Sequence, residues 1–63
     1  MKNRLKELRK SQNMTQDELA NAVGVSRQTI NAIENDKYNP TLELAIKLSR
    51  YLKMSVEEIF ILE

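Results

Sequence analysis

Arg27, Gln28 and Asn31 stand within one short stretch of a chain that offers little other chemistry. An arginine can donate two hydrogen bonds to guanine O6 and N7, and a glutamine can pair with adenine N6 and N7. Each such contact discriminates bases by about 1–3 kcal/mol. On a helix turning about 100° per residue, with Arg27 at zero, Gln28 lies near 100° and Asn31 near 40°, while Ile30 and Ile33 lie near 300° and 240°. The polar trio therefore points away from the apolar pair. Competing chemistries lack their residues: cysteine and histidine are both at zero, which removes disulfides, thiolate metal sites, cysteine nucleophiles and the commonest general base. The adjacent Glu57 and Glu58 diverge by about 100° on a helix and cannot readily share a proton or a substrate. No enzyme activity, metal site, cofactor or nucleotide loop is expected.

Elements that would hold this trio in place can be read along the chain. Leu5 and Leu8 give Asn3 to Lys10 the spacing of a short amphipathic helix, and Asn13, tolerant of a left-handed backbone, suits its end. Thr15 with Glu18 three residues on forms a capping box opening a second helix, whose apolar face is Leu19, Ala20 and Val23 and whose stop is Gly24. Ser26 caps a third helix running to about Glu34. Asn35 to Pro40 is a loop by composition. Thr41 caps a fourth helix with Leu44, Ala45, Leu48 and Leu52 on one side, and Ser55 with Glu58 opens a short fifth with Val56, Ile59 and Phe60 inward. No strand signal competes, so the expectation is an all-α fold, five helices on one core and a single domain over residues 1–63.

At 63 residues the margin of stability is thin, since a chain of that size buries only about 60% of its unfolded surface. No apolar run approaches the roughly 18 residues of a membrane span. A soluble, cytoplasmic protein with no membrane partner is expected. The net charge is only +1, but residues 1–10 carry five basic side chains against Glu7, while residues 54–63 carry three carboxylates and no base. That asymmetry fits one end facing DNA, and it fits a solvated helix face equally well.

A helix, a tight turn holding glycine and a second helix with a polar outer face describe a helix-turn-helix, whose second helix lies in the major groove. Small Ala20 lets the helices approach, Gly24 permits the turn, and Leu19, Val23, Val25, Ile30 and Ile33 seal the joint. The stretches Thr15-Gln16-Asp17-Glu18-Leu19-Ala20, Ser26-Arg27-Gln28-Thr29-Ile30 and Ile33-Glu34-Asn35, with the ending Met54-Ser55-Val56-Glu57-Glu58-Ile59-Phe60, closely resemble the phage-repressor and Cro-type (XRE) helix-turn-helix family. The resemblance covers essentially the whole chain. It implies a compact five-helix, lambda-repressor-like domain that binds double-stranded DNA, usually as a homodimer, and regulates transcription, with repression the expected mode.

Site residues follow from both sources. Arg27, Gln28 and Asn31 are the base-reading candidates. The free backbone donors at Gln16 and Ser26, each beginning a helix, favour phosphate. The resemblance implies that Gln16 touches the DNA backbone and that Asn35 and Lys37 do so from the loop after helix three. Thr29 and Tyr38 are further phosphate candidates. It also implies that Arg9 and Glu34 form a partly buried, structural ion pair, a setting that suits a planar guanidinium holding a carboxylate in two bonds. Asp36 and Lys53 stand where family members often carry glycine, and Lys53 is where a left-handed backbone is needed. If Ile59 and Phe60 face inward, Ile61 points the other way, and with Leu62 and Met54 it forms the expected dimer interface. The rival reading is a protein-interaction or antitoxin-like module built on the same fold.

Overall fold

Threonine and serine side chains open four of the five helices of the computed structural model, which describes residues 1–62. α1 spans Leu5–Ser11, α2 Gln16–Val23, α3 Arg27–Glu34, α4 Leu42–Leu52 and α5 Val56–Ile59. Thr15, Ser26, Thr41 and Ser55 each accept the backbone N–H three residues on, satisfying a donor that the first helical turn leaves free. The boxes at Thr15 and Ser55 are reciprocal, with Glu18 and Glu58 accepting from the cap N–H at 2.8 and 3.0 Å.

The ends of α1 to α4 share one device. Asn13, Gly24, Asp36 and Lys53 all have positive φ, and the residue after each donates its N–H to the carbonyl five residues back: Met14 to Arg9, Val25 to Ala20, Lys37 to Ala32 and Met54 to Ser49. These bonds close carbonyls that the last helical turn leaves open. Glycine takes the left-handed backbone without strain at Gly24, whereas the other three positions adopt it at φ 59° with a side chain present.

Leu5, Leu19, Ile30, Ile33, Leu48, Leu52 and Ile59 are fully buried and, with Leu8, Ala20, Val23 and Leu44, make one core drawn from all five helices. Each large side chain so buried stabilises the fold by about 1.5–3 kcal/mol. Val25, Met14, Met54 and Phe60 pack against its margin.

Two expectations need correction. A strand pair is present: β1 (Lys2–Asn3) and β2 (Phe60–Ile61) lie antiparallel, with Lys2 opposite Ile61 and Asn3 opposite Phe60. Two residues per strand are too few to print an alternating pattern, so this pairing belongs to tertiary structure. Phe60 does turn inward and Ile61 outward, but by strand alternation rather than helical rotation. Second, α1 begins at Leu5, because Asn3 sits in β1 and its Oδ1 accepts the Leu5 N–H at 3.0 Å. The two ends of the described chain also meet: Arg4 donates its backbone N–H to the Ile59 carbonyl at 2.7 Å, and the pKa of its guanidinium, raised first by Glu7, is also raised by Glu58.

Candidate nucleic-acid interface

The Gly24 turn sets α2 against α3 so that Ile30 and Ile33 enter the core and the opposite side of α3 is left to solvent. Arg27, Gln28 and Asn31 are all exposed there, as the helical angles require. Arg27 Nε lies 3.9 Å from Asp17 Oδ1 in the first turn of α2, with the two side chains 60% and 74% exposed. A pair so long and so wet constrains neither partner.

Behind this face the polar side chains are tied together. Arg9 Nε donates to Glu34 Oε2 at 2.7 Å and Arg9 Nη2 to Glu34 Oε1 at 3.3 Å, with side chains only 8% and 2% exposed. Arg9 Nη1 adds a 2.7 Å bond to the Met14 carbonyl. One guanidinium thus pins the end of α3, the end of α1 and the approach to α2, as the expected structural pair should. Gln16 Nε2 donates to Glu34 Oε1 at 3.0 Å and to Asn31 Oδ1 at 3.1 Å. Asn35 Nδ2 donates to the Asn31 carbonyl at 2.8 Å and to Asn31 Oδ1 at 3.2 Å.

The other candidates fall into two groups. Ser26 and Thr29 share a hydroxyl–hydroxyl bond of 3.1 Å at the start of α3, and Thr29 lines a surface hollow with Val25, Tyr38 and Lys47. Lys37 is exposed immediately after the left-handed Asp36. Away from α3, Ile61 and Leu62 border a shallow depression with Met1, Lys2 and Asp36, whereas Met54 packs against the core from the α4–α5 turn. Sequence reasoning did not find the Gln16 links to Asn31 and Glu34, the nearness of Asp17 to Arg27, or Asn3, whose Nδ2 reaches the Ile33 carbonyl and Asp36 Oδ1 at 2.8 and 3.0 Å. Helical spacing relates positions within a helix but not across the Gly24 turn, so no local signal marks these pairs. Among the described residues, no group of acidic side chains is arranged to hold a metal ion, and no helix is long and apolar enough to cross a membrane.

Two helices joined by a left-handed glycine, with the second presenting polar side chains outward from a sealed joint, define a helix-turn-helix module. A helix-turn-helix family model matches residues 5–59, and the chain belongs to this family of transcriptional regulators, of the phage-repressor type. It is 52% identical over 63 residues to an uncharacterized helix-turn-helix-type transcriptional regulator of Methanocaldococcus jannaschii, covering 100% of this chain and 96% of that protein. The uncharacterized regulator YgzD of Bacillus subtilis is 46% identical with the same coverage. Among solved structures, the restriction-modification controller protein C.AhdI of Aeromonas hydrophila superposes with a TM-score of 0.83 at 32% identity, over 90% of this chain and 86% of that one. SinR, in its complex with SinI, matches with a TM-score of 0.79 at 33% identity, over 86% of this chain and 53% of that one.

Proposed function

We propose that this chain binds double-stranded DNA sequence-specifically as a transcriptional repressor, laying α3 in the major groove, and that it acts by binding rather than catalysis, in the cytoplasm. The observation that carries this reading is the division of α3: Ile30 and Ile33 are fully buried while Arg27 and Gln28, in its first turn, are exposed and unconstrained. That turn reaches deepest in this docking geometry. Arg27, Gln28 and Asn31 read base edges, and Ser26, Thr29, Lys37 and Tyr38 contact phosphates around them, while Asn35, whose Nδ2 protons serve the carbonyl and Oδ1 of Asn31, supports Asn31 instead of reaching a phosphate. At α2 the phosphate contact falls to the first-turn backbone amides, because both Gln16 side-chain amide protons already serve Glu34 and Asn31. Selection of bound duplexes from random DNA tests the reading. Wild type should enrich one motif, and a folded Arg27→Ala/Gln28→Ala double variant should lose preference at two adjacent pairs. An unchanged motif and affinity would remove α3 as the recognition helix.

The regulator works as a homodimer. Leu62 is 88% exposed beside the outward-facing Ile61, an apolar edge that a monomer leaves in water. A two-fold axis there, with Met54 at its margin, hides that edge and sets two recognition helices about 34 Å apart, one DNA turn. Light scattering should give the dimer mass for wild type and the monomer mass for Leu62→Lys. A monomeric wild type that binds single half-sites without cooperativity defeats this part.

A further inference from the structure

We propose that Asn31 presents DNA with hydrogen-bond donors only, its acceptor oxygen being consumed by Gln16 and Asn35, whose directions are fixed by the buried Arg9–Glu34 pair on one side and by the Asn31 backbone carbonyl on the other. The inference rests on α3 being the recognition helix and specifies what one of its side chains can read. A side-chain amide oxygen has two lone pairs, and its NH2 group has two protons. Asn31 Oδ1 receives Gln16 Nε2 at 3.1 Å and Asn35 Nδ2 at 3.2 Å, so both lone pairs are occupied. What remains is Nδ2, on an exposed residue of the outer face of α3.

Amide nitrogen and oxygen are nearly alike in shape, so the direction of such a relay must come from groups that cannot reverse. Both neighbours of Asn31 have one. Gln16 Nε2 also faces Glu34 Oε1 at 3.0 Å, and a carboxylate held by Arg9 offers only acceptors. Turning the Gln16 amide over would set oxygen against oxygen. Asn35 Nδ2 also faces the Asn31 backbone carbonyl at 2.8 Å, which accepts and never donates. With both neighbours fixed as donors, Asn31 must turn its oxygen to them. A flipped Asn31 would put N–H against N–H twice.

The consequence is a restricted readout. An asparagine with both ends free pairs with adenine by accepting from N6 and donating to N7. Asn31 cannot accept, so the adenine amino group contributes nothing. It can donate to guanine O6 or N7, to thymine O4 or to adenine N7. Gln16, oriented by the Arg9–Glu34 pair, and Asn35 thereby act as positioning residues for base preference.

The test starts from the base pair at which Asn31→Ala alone relaxes preference in selection from random duplex DNA. At that pair, functional groups are then deleted singly. Replacing a contacted purine N7 by C–H, or removing the contacted O4 or O6 acceptor, should weaken wild-type binding about fivefold or more, the lower end of one base contact. Removing an exocyclic amino group should leave affinity unchanged. In Gln16→Ala/Asn35→Ala, which frees Oδ1, adenine should gain at that pair relative to the other bases, and its amino group should now matter. Wild-type sensitivity to the amino group overturns the proposal, as does a double variant whose preference at that pair is unchanged. If Asn31→Ala alters no position while Arg27→Ala does, Asn31 reads no base and the proposal fails with the recognition helix intact. If neither changes the motif, the recognition-helix reading itself fails.

Discussion

Arg9 and Arg27 both lie near an acidic partner on a neighbouring helix, and they do opposite things. Arg9 is buried, holds Glu34 through two nitrogens and gives a third bond to the Met14 carbonyl. Arg27 is 60% exposed and lies 3.9 Å from Asp17 in a single loose contact. In the interior, water competes little for the guanidinium, so each of its three nitrogens has a fixed partner and its geometry is set by the fold. At the surface the same group keeps its donors for a ligand. Residue type does not separate structure from recognition here; burial does.

The sharpest way to break that comparison is to remove each side of the buried pair. Arg9→Ala and Glu34→Ala should each destabilise by about 3–5 kcal/mol, because the surviving charge is left buried and unpaired. For 63 residues, total stability is on the order of 3–9 kcal/mol, so either variant should unfold well below the wild-type temperature. The double variant should cost less than the sum, by about 1–3 kcal/mol of coupling. Urea denaturation of the set measures this. Arg27→Ala in the same experiment should change stability by no more than about 0.5 kcal/mol. Strictly additive, sub-kilocalorie effects at Arg9 and Glu34 would put the two arginines in one class.

Two lysines carry the contrast to smaller effects. Lys53 is exposed and closes α4 with φ 59°, so its side chain does little while its backbone bears a left-handed penalty. Lys53→Gly should raise stability by about 1 kcal/mol and leave DNA binding as it was. Lys37→Ala should do the reverse. It should weaken binding almost equally on all sequences and lower the salt slope by about one unit, with stability unchanged. Melting temperature together with binding at several salt concentrations separates them. A destabilised Lys53→Gly, or a sequence-dependent Lys37→Ala, would show the two roles to be mixed.

What the sequence made legible was whatever repeats within a helix or sits at its end. The four Ser/Thr caps, the left-handed Asn13, Gly24 and Lys53, and the buried faces of α2, α3 and α4 all follow from local rules. The outward side of α3 followed from the same angles. Contacts that join distant parts of the chain did not. β1 and β2 meet across the whole length of the protein, and Asn3 reaches the end of α3. Arg9 with Glu34 was read through family resemblance, and the further step to Gln16 and Asn31 needed coordinates, since amide partners leave no periodic trace.

Glu18 stands between the two arginines, exposed like Asp17 yet held by fixed partners like Glu34. Its carboxyl lies below the usual glutamate value of 4.5, first because it accepts the Thr15 backbone N–H and then through the Thr15 side chain. Glu58 is lowered in the same order by Ser55. A carboxyl whose folded pKa is depressed contributes stability that is fully present above its unfolded value and is lost as pH falls through its folded value. Acidification from neutral pH should therefore weaken both capping boxes, beginning near pH 4.5. Glutamine keeps the box geometry without the titration. Glu18→Gln/Glu58→Gln should accordingly lie close to wild type in acid and lose less stability than wild type as pH drops through that window. The effect should be the smallest of the series, because both carboxylates are in water. Denaturant midpoints from pH 7 downward decide it. Parallel loss in the two proteins would mean that capping hydrogen bonds at the surface commit a charge no more than the loose Asp17–Arg27 pair does.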